Sequence, residues 1–246
     1  GVGASVVNAL SSYFLVIVLR NNKAYFQEYQ RGKPKAKVRT ASQKQLDQWL
    51  PEKWKIKIGA GLIGTITKFM PDKKVFGNIS FDKKKAKSLL KDRAYLVPRL
   101  SFHFEDKRDG DEAHYYFEGG IKSLIAHSNR NKEQISNVIY FSKEEKQIIG
   151  EVAIQYTDTF NENLKGFVNG INTIDGGTHI TGFRMALNRS ISDYAKRMGI
   201  LKETKNGLTA EDLKEGLTAV VYIKMPSEAL QFESQTKAKL NNPEVL

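Results

Sequence analysis

The longest apolar run in the chain is Tyr13–Leu19, YFLVIVL, bounded by Ser12 and Arg20. It is far too short to cross a bilayer, which takes about 20 residues. It reads instead as a buried strand, so the fold has to supply a sheet and something to cover it. A second run, GLTAVVYIKM (216–225), is dense in β-branched residues and also reads as a buried strand. With 246 residues and a hydrophobic fraction of 40%, the chain can build one large core or two modest ones. It has no cysteine, which excludes disulfides and thiolate metal sites. The four histidines, His103, His114, His127 and His179, are widely spaced and predict no metal site. Without a signal peptide or an initiating Met, the chain reads as a piece of something longer, and a cytoplasmic location is expected.

The rest of the pattern alternates strands and helices. Gly1–Val2–Gly3 leads into a helix carrying Val6, Val7 and Leu10, and a helix start of this kind suits an anion. The Tyr13–Arg20 strand turns at Asn21–Asn22 into a second strand, Ala24–Gln30. Residues 31–60 are basic and contain Pro34, Pro51 and Gly59, and they read as an extended loop or insertion. LIGTITKFMPD (62–72) is a strand. Asp82 caps a helix over Lys83–Leu96. RLSFHFED and AHYYFE are two strands joined by the turn KRDGD. After Glu118–Gly119–Gly120 come the helix IKSLIAHS, strands near Val138–Phe141 and Glu151–Asp158, and a helix over Asn161–Asn169. INTIDGGTH forms a loop. A longer helix from about Gly182 to Gly199 is expected to bury Leu187, Ile191, Tyr194, Ala195 and Met198. Such a mixture predicts an α+β or α/β fold, with a split near residue 118.

The net charge of +12 favours polyanionic partners such as nucleic acid. Lysines cluster in RGKPKAKVR (31–39) and in DKKKAKSLLK (82–91). The second cluster lies on the helix after Asp82, where a solvated face accounts for part of it.

Five stretches, read in order, carry more information: GVGASVVNALS, GTITKFMPD, FEGGIK, INTIDGGTH with GFRMAL, and EGLTAVVYIK with QFESQTKAKL. Together they resemble the ATPase region of the B subunit of bacterial type IIA DNA topoisomerases, the group of gyrase B and topoisomerase IV B. The resemblance covers the whole chain. DGGTH (175–179), FMPD (69–72) and LQFESQTK (230–237) look more like topoisomerase IV B. The implied fold is α+β: the C-terminal part of a GHKL (Bergerat) ATPase domain over 1–118, then a transducer domain over 119–246 like the second domain of ribosomal protein S5.

The resemblance also implies roles. Gly1, Val2, Gly3 and Ala4 would offer backbone N–H groups to the phosphates of ATP from the hinge of a lid. Thr65 would lie near the adenine and Arg20 on the rim of the nucleotide pocket. Lys237 would contact the γ-phosphate with help from Gln235, stabilising charge on the departing phosphoryl group. The family's general-base Glu, magnesium-holding Asn and adenine-reading Asp precede its G-x-G, and this sequence does not contain them. The Mg2+ ligand is therefore expected upstream. Implied partners are DNA, the topoisomerase A subunit and a second B subunit on ATP binding, with no membrane.

By itself DGGTH reads as structural, with Thr178 capping the following helix and His179 outside catalysis. Tyr115 and Tyr116 read as packing residues. The chain departs from the family pattern at Ser234 (usually Gly), Ile180 (commonly acidic), Lys214 (usually Arg), LNNPEV and a long 40–60 segment. Two other readings stand beside this one: another GHKL ATPase, and a non-enzymatic basic nucleic-acid-binding module.

Overall fold

The computed structural model describes residues 2–200 and 208–246. The chain divides into two compact units, Gly1–Phe81 and Asp82–Leu246.

The first unit opens with helix α1 (Gly3–Ala9) and is built on strand β1 (Ser11–Arg20). A turn through Asn21 and Asn22, both left-handed with φ of 52° and 57°, returns the chain as β2 (Lys23–Gln30). Short strands β3 (Lys33–Pro34) and β4 (Arg39–Thr40) pair with β2. The other edge of β1 takes β5 (Gly64–Pro71), and every pairing in this sheet is antiparallel. Leu15, Ile17 and Leu19 alternate onto one face and are buried with Ala24, Phe26 and Leu46. Leu46 comes from helix α2 (Gln43–Trp49), inside the segment expected to be an extended loop. That expectation is corrected: Ser42 and Gln45 form a reciprocal capping box that starts the helix, and Leu46 anchors it on the sheet. Helix α3 (Lys73–Phe76) follows β5 and is capped by Asp72, which accepts from Lys74 N–H at 3.0 Å. Asp72 is buried, and its bond to the Arg31 guanidinium holds its carboxyl below the usual range. The motif FMPD therefore ends in a structural carboxylate.

In the second unit, helix α4 (Lys83–Leu96) begins as the sequence predicts, with Asp82 accepting from the N–H groups of Lys84 and Lys85. Strands β6 (Phe102–Asp106) and β7 (Asp111–Tyr115) form the expected hairpin. Helix α5 (Ile121–Asn129), β8 (Ile139–Glu145) and β9 (Ile148–Tyr156) follow. Next come β10 (Asn163–Val168), β11 (Ile171–Asn172), helix α6 (Thr178–Arg197) and β12 (Leu217–Lys224). The sheet runs β11-β10-β12-β9-β8, with β10 and β12 parallel and the other pairs antiparallel. One face packs Phe167, Val220 and Tyr222 against Tyr95 and Leu96 of α4 and Ile121, Leu124 and Ile125 of α5. Leu217 and Ala219 point the other way, into a cluster that includes Phe183 and Leu187 of α6. Cover on both faces explains the unbroken apolar run of β12.

Three expectations about this unit are corrected. Asn161–Asn169 holds a strand, β10, because its apolar residues are buried on both faces of a sheet rather than along one stripe of a helix. The long helix starts at Thr178, not Gly182; Gly177 occupies its N-cap position, and Thr178 makes no cap bond, its Oγ1 having no partner. Tyr194 and Met198 are exposed, at 53% and 60%, so the buried stripe of α6 is narrower than its spacing suggests. Among the described residues no helix is long and apolar enough to cross a membrane.

Candidate functional site

In the first unit, Arg20 and Thr65 share one face of the sheet. Thr65 lies opposite Val18, two residues before Arg20, and both Arg20 and Thr65 are exposed. Their side chains stand on the side away from the Leu15–Leu46 core. Helix α1 joins β1 at its other end, about 23 Å of strand from Val18. Val2 is the N-cap residue of α1, and no side chain bonds to the helix start. The first-turn N–H groups, from Gly3 and Ala4 onward, therefore have no partner within the helix. A Cβ added at Gly3 would meet no protein atom within 4 Å, so protein packing does not require glycine there. Gly1 lies outside the described residues. Arg20 and Thr65 are thus brought together, and α1 sits at the far end of the same strand.

Gln235 and Lys237 belong to the second unit. They lie on a turn in which Lys237 N–H donates to Ser234 O at 3.0 Å. Lys237 is left-handed, with φ of 58°, and its Nζ lies 6.0 Å from the Phe232 ring centroid. Both side chains are exposed. The base of the loop is held firmly: Glu233 N–H donates to Lys239 O at 3.0 Å, and Phe232 bridges to Leu240, which is fully buried.

The anchor beneath that loop is the DGGTH segment. Asp175 N–H donates to Ala238 O (2.9 Å), Thr178 N–H to Leu240 O (3.0 Å), and Leu240 N–H to Gly176 O (3.2 Å). Gly177 has φ of 129°, and a Cβ there would overlap Leu240 O and sit 2.5 Å from Leu240 N. Only glycine allows so close an approach of two backbones. The segment is structural, as its sequence suggests, but its work is to dock the 232–240 loop. Sequence reasoning missed that partner, 63 residues away, and no local signal points to it.

His179, in the first turn of α6, is also structural. Its Nε2 meets Thr173 Oγ1 at 2.9 Å, and burial pushes its pKa down to about 4, which keeps it neutral. A Cβ at Gly166 would lie 2.5 Å from that Nε2, which explains a glycine in the middle of β10. Beside these residues a cavity of about 730 Å³ is lined by Glu162, Asp175, Thr178, Arg184 and Lys239, among others; neither Gln235 nor Lys237 lines it.

Two of the histidines that stand apart in the sequence meet in the fold. His103 and His114 are direct cross-strand partners in the β6–β7 hairpin, and with Glu112 they place ligand atoms within 4.8 Å of one another. Among the described residues no other His, Asp or Glu group is close enough to hold a metal.

The family model for DNA gyrase B matches residues 120–246, just over half of the chain. The chain belongs to the DNA gyrase B family. The DNA gyrase B protein of Streptococcus pneumoniae serotype 4 is 42% identical over 100% of the chain and 36% of its own length. The topoisomerase 4 B protein from the same organism is 37% identical over 99% of the chain and 36% of its length. The crystal structure of the 43K ATPase domain of Thermus thermophilus gyrase B in complex with an aminocoumarin matches with a TM-score of 0.80 at 34% identity. That match covers 100% of this chain and 62% of the solved one.

These relatives support the B-subunit ATPase region of type IIA topoisomerases and an α+β fold of the GHKL kind. They do not support the leaning toward topoisomerase IV: within one organism the gyrase B protein is the more similar of the two. The chain spans little more than a third of the length of these relatives.

Proposed function

We propose that this chain is part of the ATP-operated clamp of a type II DNA topoisomerase. In this reading ATP binding brings two B subunits together around a DNA segment, and the A subunit cleaves and rejoins a second segment. Residues 1–118 are read as part of the ATPase domain and 119–246 as the transducer; the family match starts at residue 120, although 82–118 pack with the second compact unit. Location in the cytoplasm follows from the same reading.

The observation that carries the proposal is the anchored turn at 234–237. It holds an exposed lysine at the tip of a loop whose base is fixed by backbone hydrogen bonds. Such a group can meet a phosphate without reorganising, which is what electrostatic stabilisation of a phosphoryl transfer requires. Gln235 adds a neutral donor beside it. In the first unit, the unpaired first-turn N–H groups of α1 and the open space at Gly3 suit phosphate oxygens. Arg20 and Thr65 share a face suited to the rim and the base. The one three-ligand group among the described residues is built on two imidazoles, a donor set that does not suit magnesium, which takes oxygen ligands. The net charge of +12 supports a surface that faces DNA phosphates.

The test is Lys237→Ala in the full-length B protein. Loss of the cation lowers kcat for ATP hydrolysis by about 100-fold, the scale of losing one transition-state donor. Nucleotide affinity changes far less, because backbone donors share ground-state binding. Lys237→Arg rescues poorly, since a planar fork does not replace a compact ammonium. Gln235→Ala acts in the same direction with a smaller loss. An unchanged kcat in Lys237→Ala overturns the assignment.

A further inference from the structure

The β6–β7 hairpin carries a group of side chains that the ATPase reading does not use. Phe102, Phe104 and Asp106 alternate onto the face packed toward α4, where Lys87 lies over the Phe104 ring and pairs with Asp111. The opposite face presents His103 and Glu105 from β6, with Glu112 and His114 from β7. The register puts His103 across from His114 and Glu105 across from Glu112. His103, Glu112 and His114 are all exposed.

The two imidazoles are unusually close. Their ring centroids are 4.1 Å apart, and His103 Nδ1 lies 3.1 Å from His114 Nδ1 and 2.9 Å from His114 Nε2. Two nitrogen ligands of a tetrahedral zinc, each bonded at about 2.0–2.1 Å, stand about 3.3 Å apart. The rings meet edge to face, at 61°, so the paired strands bring the two imidazoles to about the separation a metal needs, and turning these exposed rings aims one nitrogen of each at a shared ion. Glu112 is two residues from His114 on the same face, and it offers a carboxylate oxygen within 4.8 Å of a nitrogen of each imidazole.

We propose that His103, Glu112 and His114 form a binding site for a borderline divalent ion of the zinc class. Two imidazoles and one carboxylate are the donor set such ions prefer, whereas magnesium and calcium take oxygen ligands throughout. Three protein ligands leave one tetrahedral position for water, and the ion clips β6 to β7. A two-stranded hairpin is weak by itself, so the clip adds order to a segment otherwise held by its packing on α4. The site stands independently of the ATPase reading.

Calorimetric titration of Zn2+ into the full chain tests it. One ion binds per chain with a dissociation constant on the order of micromolar, because three of the four ligands of a closed site are present. His103→Gln and His114→Gln each weaken binding by more than about 100-fold, beyond the roughly 10- to 100-fold cost of losing an outer-shell partner. Glu112→Gln weakens it less. His127→Gln leaves the affinity unchanged, because His127 meets Lys91 elsewhere in the fold. Mg2+ in excess does not displace the zinc. All three proposed ligands are exposed, so the substitutions leave the core intact. Absence of one-to-one binding, or full affinity in both histidine variants, overturns the proposal.

Discussion

Replacing Gly177 by alanine drives a methyl carbon onto Leu240 O, 2.5 Å from Leu240 N and 2.9 Å from Leu240 C. These are backbone atoms and cannot rotate away. Restoring an ordinary contact moves the two segments apart by about 1 Å. The backbone at Gly177, with φ of 129° and ψ of −169°, is open to glycine alone and adds strain of about 1–3 kcal/mol. Separation also breaks the bonds from Thr178 N–H to Leu240 O and from Leu240 N–H to Gly176 O. Each contributes about 0.5–1.5 kcal/mol. The sum is about 2–6 kcal/mol against docking of residues 232–240. The tail can detach without unfolding the sheet, so a global melt understates the effect. Hydrogen exchange reads it directly. At about 1.4 kcal/mol per factor of ten, the Leu240 and Thr178 amides exchange about 30-fold faster or more. On the proposed role of Lys237, ATP turnover in the full-length protein falls as well, because the loop that carries it loses its fixed base. Wild-type protection at Leu240 in Gly177→Ala would refute the docking account.

Three further outcomes are expected. His179 is held neutral in the folded chain at a pKa of about 4, while an unfolded imidazole protonates near 6.5, so its contribution is full above about pH 6.5 and declines by about 3 kcal/mol as pH falls toward 4. Urea melts of His179→Gln show a flatter stability slope across that window, and an equal slope removes His179 from the account. DNA binding by this +12 chain weakens steeply between low and physiological salt without sequence preference, and salt-insensitive binding contradicts an electrostatic contact. Lys237→Gly and Lys237→Ala lower hydrolysis alike, although glycine suits the left-handed position better by about 1 kcal/mol; recovery in the glycine variant assigns the defect to loop geometry instead of charge.

Much of the fold was legible because neighbours in sequence decide it. The Asn21–Asn22 turn, the Asp82 cap and the apolar run of β12 are local signals, and each element stands where its signal lies. Helix α2 was missed although Ser42 and Gln45 carry the capping-box spacing, because Pro34, Pro51 and Gly59 dominated the reading of a basic stretch. Strand β10 was read as a helix because Leu164, Phe167 and Val168 fit either period. Its glycine was the better guide: Gly166 weakens a helix, and here it makes room for His179 and Thr173. The histidine pair was hidden by counting separation along the chain. Folding RLSFHFED onto AHYYFE around KRDGD sets His103 against His114, so both strands were in hand and only their register was missing.

The candidate site was legible only by resemblance, and the loop at 234–237 explains why. Ser234 stands where the family usually has glycine, a departure that raises doubt about the loop backbone. The structure answers it: Ser234 is not left-handed, and its Oγ bonds Thr236 Oγ1 at 2.6 Å. The left-handed position of this turn falls instead on Lys237. A branched-chain or bulky residue there is disfavoured, and glycine or asparagine would sit more easily. Arg31, Lys55, Arg99 and Lys146 adopt the same left-handed conformation, so what sets Lys237 apart is its place on an exposed loop anchored by backbone hydrogen bonds. No periodicity or cap marks such a residue in the sequence. Its meaning comes from the conformation of the turn and from the Gly176–Gly177 backbone, 60 residues earlier in the chain, that holds the turn in place.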